Sequence, residues 1–414
     1  MPATRIKVLF FAEGATLAHV GRPFVLATGL DPKRFEVVFA RPRDYEWLTA
    51  NAALTVVDLA CQAGAMFSNR LRSGFPLYDF PTLQHYVEDD LALIDAQQPN
   101  VIVGDFRLSL SVSARLSGVP YITICDAYWS PERPMEAPLP VLGFTRFVPI
   151  PLAQRIFQAV SPLALHLHAK PMERLRARFG LTSLDHDLRR CYTDADLRLF
   201  ANFPALFPEL RLTPRADFLG PIAWSPPDRT DLDFLEGKDP LVYVTMGSSG
   251  NPHALRILLP ILEGLNVRIV VASAGKELPS AIISERIRCF DYLPGHQVCQ
   301  HAALVVCNGG SPTTNQALSH GVPVLGIMEN MDQFLNMQAI TRFGAGLSIR
   351  ADRLVKSTLQ DSVKALLRDD RYTERAHSLA RSIENLSPNS NFERHLHHIM
   401  GSLEEARTTK PTNI

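Results

Sequence analysis

Short apolar runs, each closed by a turn residue, alternate along the chain with stretches of helical period. "IKVLFFA" (residues 6–12) is a continuous apolar run ending just before Gly14, which predicts a strand buried on both faces. "FEVVFA", "LTVVDLA", "NVIVGD", "VPYITICD", "ADLRLFAN" and "RADFLGP" continue the series to residue 221. "RPFVLATGL" and "SLSVSARLSG" read as helices between them, the second closed by Gly118. The second half repeats the style with strands "PLVYVTMG", "VRIVVAS", "IRCFDYL", "ALVVCNGG" and "PVLGIM" and helices "HALRILLPILEGL" and "TTNQALSHG". Strands separated by helices imply parallel sheets covered on both faces. Between the halves, "PIAWSPPDRTDLDFLEGKDP" is rich in Pro and Asp and has no apolar period. It predicts a linker over 222–238, between an N-terminal domain over 1–221 and a C-terminal domain over 239–388. The fold class is therefore α/β, with two doubly wound domains, which place ligands outside the carboxyl ends of their strands.

Composition adds exclusions. A chain of 414 residues exceeds one ordinary core, in keeping with two domains. Its 42 basic and 42 acidic residues cancel, leaving no electrostatic footprint for nucleic acid as a partner. Six cysteines without a CxxC pair argue against a zinc site or a disulfide framework and fit reduced thiols in the cytoplasm. "MPATRIKVLFFAEGA" meets Glu13 too soon for a signal peptide. No apolar run reaches the roughly eighteen residues of a membrane span. The most apolar stretch, "FVPIPLAQRIFQAVSPLALHLHAK", is interrupted by Pro149, Pro151, Arg155 and Pro162. It reads as a buried or pocket-lining helix, with peripheral contact at a membrane surface as the alternative.

Candidate chemistry begins at Cys307. Asn308, Gly309 and Gly310 follow the apolar run "ALVVC", so they sit at a strand's carboxyl end, and a helix starts near Ser311. Unpaired N–H groups and the helix dipole there favour an anion such as a phosphate. An ordinary capped strand–turn–helix would use the same residues. The wider stretch "NGGSPTTNQALSHGVPVLGIMENMDQFLNMQAITRFGAGLSI" resembles the donor-binding signature of family 1 nucleotide-sugar glycosyltransferases and their bacterial macrolide-type relatives, H-G-G-x-G-T-x-x-E-A-L, then G-V-P, D-Q-x-x-N-A and G-x-G. Gly309, Gly310, Thr313, Ala317, Leu318, Gly321, Val322, Pro323, Asp332, Gln333, Asn336, Gly344 and Gly346 match it.

That resemblance implies the GT-B architecture, two Rossmann-like domains facing across a cleft, with a C-terminal helix (about 389–414) packing back on the N-terminal domain. It implies a uridine- or thymidine-diphosphate sugar as donor. Gly247, Ser248, Tyr292, Leu293, Asn308, Gly309, Gly310, Ser311, Thr313 and Gln316 would surround the nucleotide diphosphate, and Asp332 and Gln333 the sugar hydroxyls. "AHVGRPFVLATGL" is similar to the family's G-H-x-x-P helix start, which puts His19 at the catalytic base position; Asp105, ending "VIVGD", takes the place of the carboxylate that orients it. The chemistry makes independent sense of the pair: inverting transfer needs the acceptor hydroxyl or amine deprotonated as it attacks the anomeric carbon, and histidine titrates in the right range. A carboxylate on its other nitrogen fixes the tautomer. The resemblance implies no cofactor and no metal, the helix amino end and hydroxyls taking the divalent ion's part.

Departures are local. Asn308 stands where the family has His, Gln316 where it has Glu, and Tyr292 and Gly295 where it has Trp and Gln. An amide donates without charge, so a charge-assisted contact is absent. Three readings follow: an inverting glycosyltransferase, a non-catalytic helper of the same fold, and a nucleotide-sugar epimerase; His19, Asp105 and the Asp332-Gln333 pair favour the first. Aromatic residues gather in the N-terminal half, and Phe67, Phe75, Tyr128 and Trp129 are the candidates for lining a small aromatic or lipophilic acceptor, with core packing the other role open to them.

Overall fold

The computed structural model describes residues 5–247, 253–275, 284 and 286–408. These form two parallel sheets, each with helices on both faces. The first has the order β3-β2-β1-β4-β5-β6-β7, from β1 (Ile6–Ala12), β2 (Phe35–Arg41), β3 (Thr55–Asp58), β4 (Val101–Asp105), β5 (Tyr121–Cys125), β6 (Leu197–Phe200) and β7 (Ala216–Phe218). The second runs β10-β9-β8-β11-β12-β13, from β8 (Leu241–Thr245), β9 (Arg268–Ala272), β10 (Ile287–Phe290), β11 (Ala302–Cys307), β12 (Val324–Met328) and β13 (Gly346–Arg350). Both sheets reverse direction between their first and fourth strands, and a doubly wound sheet opens a crevice there. Both strands at each reversal, β1 with β4 and β8 with β11, are buried through their carboxyl halves, as continuous apolar runs require.

Helix α1 (Leu17–Thr28) leaves β1 through a turn at Gly14, and α10 (Ser311–Ser319) leaves β11 through Asn308-Gly309-Gly310. The segment between the sheets is packed down: Leu232 and Leu235 are buried, and Trp224 lies over Gly21, where an added Cβ would come within 2.7 Å of its side chain. A single apolar cluster joins Tyr128, Phe200, Phe203 and Phe207 of the first half to Tyr243, Leu293 and Leu335 of the second. Polar contacts reinforce that seam, among them Val141 N–H to the Glu329 carbonyl at 2.7 Å and Asn315 Nδ2 to the Ala201 carbonyl at 2.8 Å. Helix α14 (Pro388–Thr408) buries Phe392 and Leu396 among Phe10 and Val20, and His395 Nε2 lies 3.0 Å from Asp217 Oδ2.

The apolar stretch near residue 150 forms an unbroken helix, α6 (Ile150–Arg178), and the expectation of a buried or pocket-lining helix holds for one side of it only: Ser161, Pro162, Leu165 and His166 line a pocket with Pro131, Met135 and Leu188. Ala153, Phe157 and Ser161 face inward, whereas Leu152, Ile156, Val160, Leu163 and Leu167 are exposed. Pro162 is accommodated because the Ser161 hydroxyl donates to the Gln158 carbonyl, which the proline's missing N–H leaves short of a donor.

Candidate active site

Parallel pairing of β1 with β4 sets Ala12 opposite Asp105, and four residues separate the end of β1 from the start of α1. His19, in the first turn of α1, thereby meets Asp105 at the end of β4: His19 Nδ1 lies 2.7 Å from Asp105 Oδ1. The His19 ring stacks on Phe106 at 4.7 Å between centroids. Phe106 holds φ +60°, a left-handed backbone that costs a side-chain-bearing residue about 1–2 kcal/mol, a strain of the kind that gathers at functional sites.

Asp105 is buried, and Arg22, one turn along α1 from His19, grips it through Nε to Oδ2 at 2.8 Å and Nη2 to Oδ1 at 2.9 Å. The same guanidinium reaches Asp126 Oδ2 at 2.7 Å, and Asn202 Nδ2 donates to Asp126 Oδ1 at 3.0 Å. Burial by itself would raise the Asp105 carboxyl, but the charges and hydrogen bonds of Arg22 and His19 outweigh it and hold the group below the ordinary carboxylate value. An ionised Asp105 only accepts, so His19 Nδ1 carries the hydrogen toward it, and in the neutral ring Nε2 is then the nitrogen with the lone pair. That is the tautomer a general base needs.

A cleft that reaches Arg22, the partner of this dyad's carboxylate, opens between the two sheets. Thr16, Ala18 and Arg22 line one wall; Thr245, Gly247, Asn308, Gly310, Thr313 and Gln316 line the other. The amino end of α10 carries no side-chain cap, and Gly310, Pro312 and Thr313 there line the cleft. Asn308 Oδ1 accepts from Gly310 N–H at 3.2 Å, shaping the turn. Gly309, at φ +80°, sits back from the cleft: its carbonyl accepts from Asn336 Nδ2 at 2.9 Å, and Met337 packs where a Cβ would be. Leu293 and Ser311 are buried. The half-exposed Tyr292 ring lies 5.6 Å from Trp47, an aromatic contact across the domains that the sequence did not announce. Ser248 lies outside the described residues.

Asp332 and Gln333, adjacent in sequence, diverge. Gln333 is buried and closes a capping box at the start of α11 (Met331–Phe343), accepting at Oε1 from Glu329 N–H at 2.7 Å while its own N–H donates to Asn330. Its oxygen is therefore engaged in the helix start and not presented to a ligand. Asp332 accepts from Trp129 Nε1 at 2.9 Å. Burial, and then the nearby Asp126 charge, push the Asp332 carboxyl up from its ordinary value. Trp129 packs edge-on to Tyr192 at 5.1 Å, and Tyr192 to Phe106 at 5.1 Å. A row of rings, His19–Phe106–Tyr192–Trp129, thus ends on Asp332 of the other domain. Of the acceptor candidates, Trp129 belongs to this row, and Phe67 packs edge-on against Phe106 from inside the core. The other two stand elsewhere: Tyr128 is wholly buried in the cluster joining the domains, and Phe75 is 63% exposed beyond α3 (Gly64–Ser73). The sequence offers Asp126 only as a scattered acid outside any metal-ligand cluster, and Arg22, Phe106 and Tyr192 not as site residues at all. Arg22 alone left a signal, its i+3 spacing from His19 on one helix face.

A family profile, "Erythromycin biosynthesis protein CIII-like, C-terminal domain", matches residues 256–391. A "PGL/p-HBAD biosynthesis rhamnosyltransferase" of Mycobacterium bovis is 40% identical over 382 residues, 92% of this chain and 85% of the relative. The chain belongs to the family 1 glycosyltransferases. Among solved structures, the "Spinosyn Forosaminyltransferase SpnP" matches with a TM-score of 0.69 at 17% identity, over 96% of this chain and all (100%) of the other. The Streptomyces sp. SF2575 glycosyltransferase SsfS6, complexed with thymidine diphosphate, matches with a TM-score of 0.67 at 17% identity, over 97% and 100%. These structures share the GT-B fold of two Rossmann-like domains. In this glycosyltransferase, Arg22, which holds the dyad's carboxylate, lines one wall of the interdomain cleft, and Gly310, Pro312 and Thr313 at the amino end of α10 line the other. Among the described residues no group of three or more His, Cys, Asp or Glu is placed to hold a metal ion.

Proposed function

We propose that the protein transfers a sugar, with inversion and without a metal ion, from a nucleotide diphosphate sugar to a hydroxyl of an aromatic or lipophilic acceptor. The observation that carries this is the 2.7 Å contact between His19 Nδ1 and an Asp105 held ionised by Arg22. His19 Nε2 takes the acceptor proton as the acceptor oxygen attacks the anomeric carbon. The bond to the leaving diphosphate breaks, its electron pair going to the phosphate oxygen, and the amino end of α10 stabilises that charge. Asp332, hydrogen-bonded to Trp129 at the far end of the ring row, takes the sugar hydroxyls in this reading. The ring row is the acceptor's platform. Because SsfS6 was solved with thymidine diphosphate and the mycobacterial relative is named a rhamnosyltransferase, dTDP-rhamnose is the first donor to offer, ahead of UDP-sugars. Acceptors of PGL/p-HBAD biosynthesis are the first to screen.

The test is a product screen of the purified protein against that donor and acceptor panel, with the anomeric configuration of any product read by NMR and parallel reactions in EDTA. An inverted glycoside formed equally well in EDTA supports the reading. Donor binding without turnover of any acceptor would favour the helper, and a retained configuration would overturn the direct displacement.

A further inference from the structure

We propose that the outer face of α6 seats the enzyme on an anionic membrane surface. Leu152, Ile156, Val160, Leu163 and Leu167 recur every three or four residues, which puts them on one stripe of the helix, and all are exposed. Phe147, 87% exposed just before the helix, continues the stripe toward its amino end. Contiguous exposed apolar faces of this kind mark interaction sites. Charge identifies the occupant. From 137 to 172 the chain has no Asp or Glu, while Arg146, Arg155 and Lys170 are exposed. Lys170 and Arg174 extend the same helical face beyond Leu167 at the i+3 and i+7 positions, and Arg174 is exposed. The exposed carboxylates nearest in sequence, Glu136 and Asp185, lie outside this segment. An apolar stripe whose own segment carries cations and no carboxylate matches the boundary between acyl chains and acidic headgroups. The inner side of α6 packs Leu165 against the same apolar cluster that Phe106 and Tyr192 pack against, which links the docked helix to the ring row.

Co-sedimentation with vesicles tests this, using phosphatidylcholine alone and a roughly 3:1 mixture with phosphatidylglycerol. The full chain should bind the anionic vesicles about tenfold more than the neutral ones at low salt, and lose that preference in about 0.5 M NaCl. Ile156→Asp/Leu163→Asp should cut binding about tenfold, and Arg155→Glu/Lys170→Glu should remove the preference for anionic lipid. Both pairs are exposed, so thermal stability and nucleotide diphosphate affinity should match the parent and certify the fold. No binding to anionic vesicles, or binding indifferent to the apolar pair, would overturn the proposal. So would a stable dimer that Ile156→Asp/Leu163→Asp converts to monomer, since the stripe would then belong to a second copy.

Discussion

Two buried arginines in the N-terminal domain each bridge two carboxylates, and the two clusters do opposite things. Arg22 holds Asp105 and Asp126 at the cleft; Arg107 holds Glu13, through Nη1 to Oε2 at 3.0 Å, and Asp90, through Nε to Oδ1 at 3.0 Å. In the first, His19 adds a further donor and stays partly exposed, and Asp105 is held below its ordinary value. In the second no group reaches solvent. Ser109 and Ser113 donate to Asp90, and Tyr86 lies under the guanidinium at 3.6 Å, yet burial still dominates and both Glu13 and Asp90 are pushed up. One guanidinium between two acids is therefore not a function by itself. What makes the Arg22 cluster a candidate site is a titratable ring with one nitrogen spoken for and the other left to a ligand.

The largest expected effect separates the two clusters by activity. His19→Ala should lower kcat by ~10²–10⁴ while leaving thermal stability and nucleotide diphosphate affinity near the parent values. A turnover assay beside a thermal melt checks it, and an alanine variant matching the parent on an alcohol acceptor would remove His19 from the base role. Asp105→Asn should lower turnover by a similar or smaller factor, since the amide can present the wrong tautomer to Nδ1.

Arg107→Leu should do the reverse. It leaves Glu13 and Asp90 buried without their cation, and losing one partner of a buried ionic group costs about 3–5 kcal/mol. Denaturant unfolding would read that loss. If instead the variant folds as stably as the parent but fails in turnover, Arg107 belongs with Arg22 after all.

The difference also explains what the sequence could and could not reveal. His19 and Asp105 were legible because each follows an apolar strand in a recognisable pattern, and strand ends are where such folds put chemistry. The sheet arrangement was legible for the same reason, through buried runs such as "IKVLFFA" and "ALVVC". Arg107 and Glu13 were not: a lone charge beside an apolar run looks solvated, and only folding shows it enclosed. Trp129 and Asp332 lie 203 residues apart, so no local spacing could pair them. Gln333 is a different case. "NMDQ" carries the capping-box spacing, Asn330 to Gln333, and that signal would have moved its oxygen from the sugar to the helix start. The stripe on α6 was misplaced because apolar residues at helical spacing are usually core, and the period cannot say which side the domain lies on.

A smaller effect probes the reach of the Arg22 cluster across the cleft. Trp129→Phe keeps the ring row but removes the donor to Asp332, a hydrogen bond to a charged group worth about 1.5–3 kcal/mol. The expected loss in kcat/KM is at least about tenfold for the sugar nucleotide, with free nucleotide diphosphate bound as before. Equal weakening of both ligands would place Asp332 at the phosphates.

The gentlest test compares the two clusters by pH, and the signs are opposite. Asp105 is depressed in the folded state, so its contribution is present above its ordinary value of 3.8 and is lost as pH falls through the folded value. Glu13 is raised above its ordinary 4.5, so the folded chain holds that proton more tightly than the unfolded chain does. Its contribution is greatest below 4.5 and declines as pH rises toward the folded value. Stability measured by denaturant from acid to neutral pH should therefore separate the variants. The deficit of Asp105→Asn relative to the parent should shrink toward acid, whereas the deficit of Glu13→Gln should shrink toward neutrality, because the amide mimics the protonated acid that the buried site prefers. Parallel curves for the two variants would mean that Arg107 neutralises Glu13 as fully as Arg22 neutralises Asp105, and the distinction drawn between the clusters would rest on His19 alone.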